Sequence, residues 1–194
     1  MVDPTESLYK NITLNDVQLA SAYYPILIDL AKHKHCLTYG ELVERAKKTY
    51  PQNSVVQGAI AVSTGRKLDV VRMFTAAREL PDLTSLVINK GLGECGRGFT
   101  EHFNPIAARE KVFSFDWSTV STDFDGYIRH TESSVIPRKK RKNAEALKLM
   151  SQFYSRNKGK FPASIREQRE LIIELLMEGF EPEAAFAEAS KRAI

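Results

Sequence analysis

The side chains of this chain that could serve as nucleophiles or metal ligands are few and widely spaced. Cys95 lies among glycines and two residues before Arg97, a setting that predicts a lowered thiol pKa. No general base follows it at a recognisable spacing, and a lone cysteine is more often inert. His33, His35 and Cys36 are close in sequence but lack a fourth ligand for zinc. We therefore predict no catalytic residue, no metal site and no cofactor.

Three aspartates offer a second possible chemistry. Asp116, Asp123 and Asp125 could bind a divalent metal ion, as the carboxylates of a nuclease do. No Glu-x-Lys or histidine set accompanies them, and Asp123 is well placed to cap the next helix. We therefore predict a structural role for Asp123 and keep a DNA-acting enzyme as an alternative.

The basic residues are more informative because they are concentrated in one segment. The chain has a net charge of +4 and a pI near 9.0. Residues 135–160 contain nine Lys or Arg and one acid, whereas the rest of the chain contains 19 basic and 23 acidic residues. A local excess of this kind is typical of a surface that contacts phosphate. A solvated basic linker is the alternative interpretation.

Further polar and basic residues are predicted to contact nucleic acid. Short polar side chains at a helix start suit phosphate oxygens, and a glutamine can bind an adenine edge. A basic, glycine-rich loop of the kind found at 90–98 commonly reaches a phosphate or the minor groove. The predicted nucleic-acid-binding residues are Tyr39, Ser54, Gln57, Thr64, Arg66, Lys67, Lys90, Arg97, Arg138, Lys139, Lys140, Arg141 and Lys142.

The elements that position these residues are mostly helices. Capping boxes at Thr13–Asp16 and Thr38–Glu41 predict two helix starts, and Pro25 should kink or split the first helix. A third helix should start near Ser54 and include the small residues at 55–62. A fourth is expected at 69–79 and a strand at 83–88, whereas 111–117 fits a short strand or a helix end. Helices followed by a strand and a loop are typical of a winged helix, a helix-turn-helix variant.

The last third of the chain predicts a separate helical unit. Helical patterns cover 143–156, 164–178 and 182–193, with Gly179 and Pro182 as end and start signals. We expect a mainly α fold with a small β element: a winged-helix-like domain at 13–134, a basic hinge at 135–142 and a helical appendage at 143–194. The apolar stripe Leu171, Leu175 and Leu176 is a candidate surface for a protein partner.

Residues 24–96 resemble the C-terminal winged-helix domain of the alkylguanine-DNA alkyltransferases and alkyltransferase-like proteins. The resemblance rests on Leu37-Thr38-Tyr39-Gly40-Glu41-Leu42, on the small-residue segment 55–62, and on Leu80-Pro81 before a strand. It implies a winged-helix shape that binds DNA. The family's Pro-Cys-His-Arg motif is missing, since Thr84 stands at the cysteine position, and Ser54 replaces the arginine of the reading helix. Alkyl transfer and base flipping by an arginine are therefore not expected.

These observations predict a non-enzymatic protein that binds double-stranded DNA with low sequence specificity. The cysteine content and the absence of a long apolar run favour a cytoplasmic protein, bacterial or phage-encoded and possible in the nucleoid, without membrane contact. The first alternative is an adaptor or inhibitor, phage- or mobile-element-encoded, that binds another protein through its C-terminal helices. The second is a diverged DNA-acting enzyme, either an alkyltransferase or a nuclease.

Overall fold

The computed structural model describes residues 11–120 and 123–192, except for the side chains at positions 97 and 98. Its fold is mainly helical with one small two-stranded sheet, which confirms the coarse prediction of a mainly α fold with a small β element. The chain divides into two units, Met1–Ile136 and Pro137–Ile194. The first unit contains both strands, and the second contains helices and no strand among its described residues.

The first unit consists of helices of very different length around two short strands. Its elements are α1 (Leu14–His33), β1 (Leu37–Thr38), α2 (Tyr39–Thr49), α3 (Ser54–Gln57), α4 (Thr64–Ala77), β2 (Val87–Ile88), α5 (Arg97–Thr100), α6 (Pro105–Ser114) and α7 (Phe124–Ser134). Single 3-10 turns at Ala61–Ser63 and Leu83–Leu86 precede α4 and β2.

Helix α1 is the central helix of the first unit. The Thr13 hydroxyl and the Asp16 carboxylate form the predicted capping box at its start. The helix packs against α2, α4 and α7, and it buries residues around most of its circumference. It continues through Pro25, so the split is excluded and the kink remains of the two predicted alternatives. Pro25 lies on the exposed side, while Tyr23 and Leu27 are held in the core on either side of it.

The second predicted helix is confirmed, but the third is not. Thr38 and Glu41 cap α2, which buries Leu42 as expected. The helix that starts at Ser54 ends after one turn, because the chain becomes extended at Ile60 before a new helix begins. The next full-length helix is α4, which begins five residues before the predicted start at 69.

The predicted strand at 83–88 is mostly a turn. The Asp82 carboxylate accepts a hydrogen bond from the Thr84 amide and caps a 3-10 turn at Leu83–Leu86. Only Val87–Ile88 is extended, and it pairs in parallel with β1 in the register Leu37↔Val87. The interpretation of 111–117 is settled in favour of a helix end, because α6 extends to Ser114.

A buried ion cluster joins the starts of α1 and α4. Asp16, with 1% of its surface exposed, contacts Arg66 Nη2 at 2.7 Å and Lys67 Nζ at 3.2 Å. Lys67, fully buried, also donates a hydrogen bond to Ser63 Oγ at 2.8 Å. Burial alone would raise the pKa of Asp16, but the charges of Lys67 and Arg66 outweigh it and hold this pKa below its ordinary value of 3.8.

The second unit packs three helices around an aromatic and aliphatic core. The helices are α8 (Asn143–Asn157), α9 (Arg169–Met177) and α10 (Pro182–Ser190), with 3-10 turns at Lys158–Lys160 and Ala163–Gln168. The second predicted helix, at 164–178, therefore begins as a 3-10 segment. Gly179 has a φ of 91° just after α9, and Pro182 occupies the first turn of α10, as expected from the sequence.

Replacing Asp16 by Asn should destabilise the first unit by about 3–5 kcal/mol, because it removes the carboxylate that two buried cations contact. The folded-state pKa of Asp16 is lowered, so its ionisation stabilises the fold above pH 4 and this contribution disappears as the pH falls through that pKa. The difference between wild type and variant should therefore shrink in acid. Urea unfolding followed by fluorescence of Trp117, the single tryptophan, measures it.

Asp29→Asn is the matched control on the same helix. Asp29 pairs with Arg45, but both side chains are more than 40% exposed, so the loss should be about 0–1 kcal/mol. Equal losses for the two variants, or a pH-independent loss for Asp16→Asn, would contradict the role of the cluster.

Candidate nucleic-acid interface

The predicted basic, glycine-rich loop of the first unit is an exposed turn, Asn89 to Glu94, which we call the wing loop after the predicted winged helix. The Asn89 amide donates to the Glu94 carbonyl at 2.8 Å, and the Gly93 amide donates to the Asn89 carbonyl at 2.9 Å. The Gly91 amide donates to Asn89 Oδ1 at 2.8 Å. Gly93 has a φ of 64°, a conformation that favours glycine. These contacts define one turn, with Lys90 and Leu92 exposed at its tip.

The base of the wing loop is held by charged and aromatic side chains. Glu94 accepts hydrogen bonds from Arg109 Nη2 at 2.5 Å and from the Cys95 amide at 2.7 Å. Burial would raise the pKa of Glu94, but the Cys95 amide and Arg109 together hold it below its ordinary value. The Tyr39 hydroxyl lies so close to Gly96 that a Cβ there would be 3.3 Å from it. Tyr39 therefore lies at the base of the loop.

Three predicted phosphate-binding residues are buried in the first unit, and their assignment is wrong. Arg66 and Lys67 contact Asp16 inside the protein. Thr64 has no exposed surface, and its hydroxyl donates to the Ile60 carbonyl at 3.2 Å. None of these side chains is available to a ligand at the surface without opening the core.

In the short helix α3, Ser54 is exposed, whereas the Gln57 side chain forms hydrogen bonds within the first unit. Gln57 Nε2 donates to the Lys47 carbonyl at 2.9 Å and to the Tyr50 carbonyl at 3.2 Å. Its amide therefore closes the end of α2, and bidentate binding to adenine would require breaking these bonds. Ser54 remains an exposed candidate, as does Lys90 of the wing loop. The predicted contact of the Arg97 side chain lies outside the described part of the structure.

The basic residues of the predicted hinge, 138–142, belong to the second unit. The Arg138 guanidinium lies over the Phe180 ring at 4.2 Å, and Lys140 pairs with Glu178 at 3.2 Å. Arg141 Nη1 donates to the Phe180 carbonyl at 2.6 Å, and its Nη2 pairs with Glu181 at 2.6 Å. The basic run thus packs on the end of α9, because acids and carbonyls there satisfy its charges.

Only two members of the basic run are free of such partners. Lys139 and Lys142 are exposed and form no ion pair with the described residues. The three remaining members are engaged within the second unit. The predicted phosphate contact is therefore reduced, at this end of the unit, to Lys139 and Lys142.

A second group of cations lies along α8 and in the 3-10 turn that follows it. We define the α8 basic surface as Lys148, Arg156, Lys158 and Lys160, all of which are exposed and make no ion pair with the described residues. No acid occurs from position 146 to 166, and seven acids follow between 167 and 192. Unlike the Arg141 side chain, these four side chains do not pair with an acid in the described part of the structure.

The charge count of the sequence included these four residues but did not single them out. The distinguishing signal is the absence of acids over 21 consecutive positions, 146 to 166. Net charge alone does not separate cations that bind an internal partner from cations that face solvent.

The apolar stripe proposed as a partner-binding surface is also an internal feature. Leu171, Leu175 and Leu176 are buried in the core of the second unit. The stripe covers the inner side of α9, where it packs with α8 and α10. These leucines are therefore not a docking surface, and the prediction is wrong.

Thr84, which the predicted resemblance aligns with the alkyltransferase cysteine, forms a closed hydrogen-bond group. Its hydroxyl donates to Asp82 Oδ1 at 2.6 Å and accepts from Arg72 Nη2 at 2.9 Å. Asp82 Oδ2 pairs with Arg72 Nε at 2.9 Å. The carboxylate that could activate the hydroxyl is thus neutralised by the arginine. This arrangement favours a structural role in shaping the 3-10 turn before β2.

The other candidate reactive groups are likewise in structural environments. Burial, and then the charge of Glu94, raise the pKa of Cys95 to about 12, so the predicted lowering is wrong. Asp123 pairs with Arg78 at 2.5 Å and makes no side-chain cap of α7. Asp116 Oδ1 accepts from Ser118, which holds the pKa of Asp116 below its ordinary value. Within the described residues, no group of three potential metal ligands comes together.

Comparison with models of known protein families, with curated proteins and with solved structures gave no significant match to this chain. Among the described helices, none is long and apolar enough to span a membrane.

Cys95 should resist alkylation in the native protein. With a pKa of about 12, only roughly one thiol in ten thousand is ionised near pH 8, and the side chain is buried. We expect iodoacetamide to modify Cys95 at least about 100-fold more slowly in native Cys36→Ser protein than in the same protein in urea. Peptide mass spectrometry measures both rates. Similar rates in the two states would restore Cys95 as a reactive thiol.

Arg141→Ala should destabilise the second unit by about 1.5–3 kcal/mol, because it removes charge-assisted hydrogen bonds to two carbonyls and a carboxylate. Lys139→Ala removes the same charge from an exposed site and should change stability by less than about 0.5 kcal/mol. Amide hydrogen exchange in α9 and α10 distinguishes the variants. Equal protection in both would show that Arg141 does not hold this end of the unit.

Proposed function

We propose that this protein binds double-stranded DNA, without catalysing a reaction and with low sequence specificity, mainly through phosphate contacts of the α8 basic surface. The observation that carries the proposal is the group of four exposed cations, Lys148, Arg156, Lys158 and Lys160, in a segment without acids. Cations that bind no internal partner can neutralise phosphates without breaking protein contacts. Each contact releases counterions from DNA, which is favourable at low salt.

Their placement supports a phosphate backbone as the ligand. Lys148 and Arg156 lie about two turns apart on α8, and Lys158 and Lys160 continue the group in the following 3-10 turn. Phosphates are spaced at regular intervals along a duplex, and flexible lysines can reach them without a defined pocket. Such contacts position a protein on DNA but do not read base sequence.

The first unit supports the proposal through its order of elements. A helix pair, α2 and α4, precedes β2 and the wing loop, which is the order found in winged helices. The short parallel pairing of β1 and β2 fixes the start of the loop. In this proposal the first unit is a winged-helix-like module, similar to that of the alkyltransferase-like proteins. Its exposed residues Ser54 and Lys90 add contacts to the duplex.

Replacing Lys148, Arg156, Lys158 and Lys160 together by Gln should weaken duplex binding and flatten its dependence on salt. If each cation neutralises one phosphate, the slope of log K against log[salt] should fall by about 3–4. Fluorescence anisotropy with a labelled duplex of about 20–30 base pairs, measured over a salt series, gives this slope. Single-stranded DNA and RNA serve as competitors.

The control variant loses the same number of positive charges, but from the first unit. Lys32, Lys34, Lys48 and Lys111 of the first unit are exposed, make no ion pair with the described residues, and are replaced together by Gln. This variant should retain most of the wild-type slope. An equal slope for the two variants would show that only the net charge of the protein matters, which would contradict the proposed role of the α8 basic surface. No duplex binding by the wild type at low salt would contradict the function itself.

A further inference from the structure

The tip of the wing loop presents a large apolar side chain to solvent. Leu92 is 64% exposed, the highest value among the exposed large hydrophobic residues of the described structure. Burying a leucine side chain is favourable by about 1.5–3 kcal/mol, so a ligand that covers Leu92 would gain binding free energy from this contact.

The tip is both narrow and fixed. Gly91 and Gly93 flank Leu92, so no neighbouring side chain widens the loop. The amides of these glycines are bonded to Asn89, and the Asn89 amide closes the loop with Glu94. Little conformational entropy remains to be lost when such a tip enters a narrow space.

The charges around the tip favour an anionic partner. Lys90 is exposed two residues from Leu92. Glu94 is the only acid of the loop, and Arg109 neutralises it through both carboxylate oxygens at 2.5 Å. The charge of Lys90 also acts on the exposed Glu41 carboxylate in the first turn of α2. The loop therefore combines an exposed positive charge, an apolar tip and a narrow profile, which are the features of side chains that wedge between base pairs from the minor groove.

We propose that the wing loop enters the minor groove of DNA and that Leu92 inserts between neighbouring base pairs and kinks the duplex. This inference rests on the proposed binding to DNA, and it assigns the binding energy and the deformation to different residues. The cations of the α8 basic surface hold the phosphates, and Leu92 opens a base step. Flexible pyrimidine–purine steps such as TA should be the preferred places, because they unstack most easily.

The experiment uses a duplex of about 20 base pairs with 2-aminopurine at a central TA step and a donor–acceptor dye pair at its ends. Wild-type protein at low salt should raise 2-aminopurine fluorescence, which reports unstacking, and energy transfer, which reports bending. With Leu92→Ala both signals should return to the level of free DNA. Anisotropy should still show binding with less than about a threefold change in affinity, because the lost burial of Leu92 is offset by the unstacking cost that the variant no longer incurs. Leu92→Met, which keeps a long apolar side chain, should retain both signals.

Ile106→Ala is the matched control, because Ile106 is 62% exposed on α6, outside the wing loop. It should leave both signals unchanged. Wild-type binding by anisotropy without either signal, or signals that persist in Leu92→Ala, would overturn the wedge and leave the proposed function standing. Absence of binding by anisotropy would overturn both. If Leu92 contacts another protein instead of DNA, Leu92→Ala will leave both duplex signals unchanged, and this result would also contradict the wedge.

Discussion

The arrangement of the first unit depends on a buried carboxylate shared by two cations. Asp16 caps the first turn of α1 and contacts Arg66 and Lys67 at the start of α4. Removing three charges from water is costly, and only close mutual contact can offset the cost. The alternative placements of α4 would leave a buried charge without its counter-ion. The cluster therefore favours one register between the two central helices of the unit.

The consequences of this register extend along the chain to the wing loop. Once α4 is placed, Arg72 in its middle binds Asp82 and Thr84. Asp82 caps the 3-10 turn at Leu83–Leu86, which delivers Val87 to its partner Leu37 in the small sheet. The wing loop follows directly. Its position thus derives from a series of polar contacts, several of which join different elements.

The sequence predicts the local parts of this fold and misses the distant ones. Both capping boxes and the signals at Gly179 and Pro182 were readable, because the interacting groups lie within a few residues. The burial of Arg66 was not readable, because Asp16 lies 50 positions away. For the same reason the sequence does not reveal that Arg141 is paired, because its partner Glu181 lies 40 positions downstream. The sequence predicts the wrong direction for the pKa shift of Cys95, because the burial of this thiol and its contact with the Ser85 carbonyl depend on the fold.

The proposed division of tasks between the two units has a physical consequence for selectivity. Lysine and arginine side chains of the α8 basic surface contribute affinity that is independent of sequence, since every duplex has the same backbone. A leucine on a fixed turn contributes through the cost of unstacking, which varies from one base step to another. Raising the salt concentration weakens the first contribution far more than the second, because only charge contacts release counterions. The ratio of the affinities for flexible and stiff base steps should therefore stay nearly constant with salt while both affinities decrease, and measuring binding to TA-containing and A-tract duplexes across a salt series would separate the two contributions.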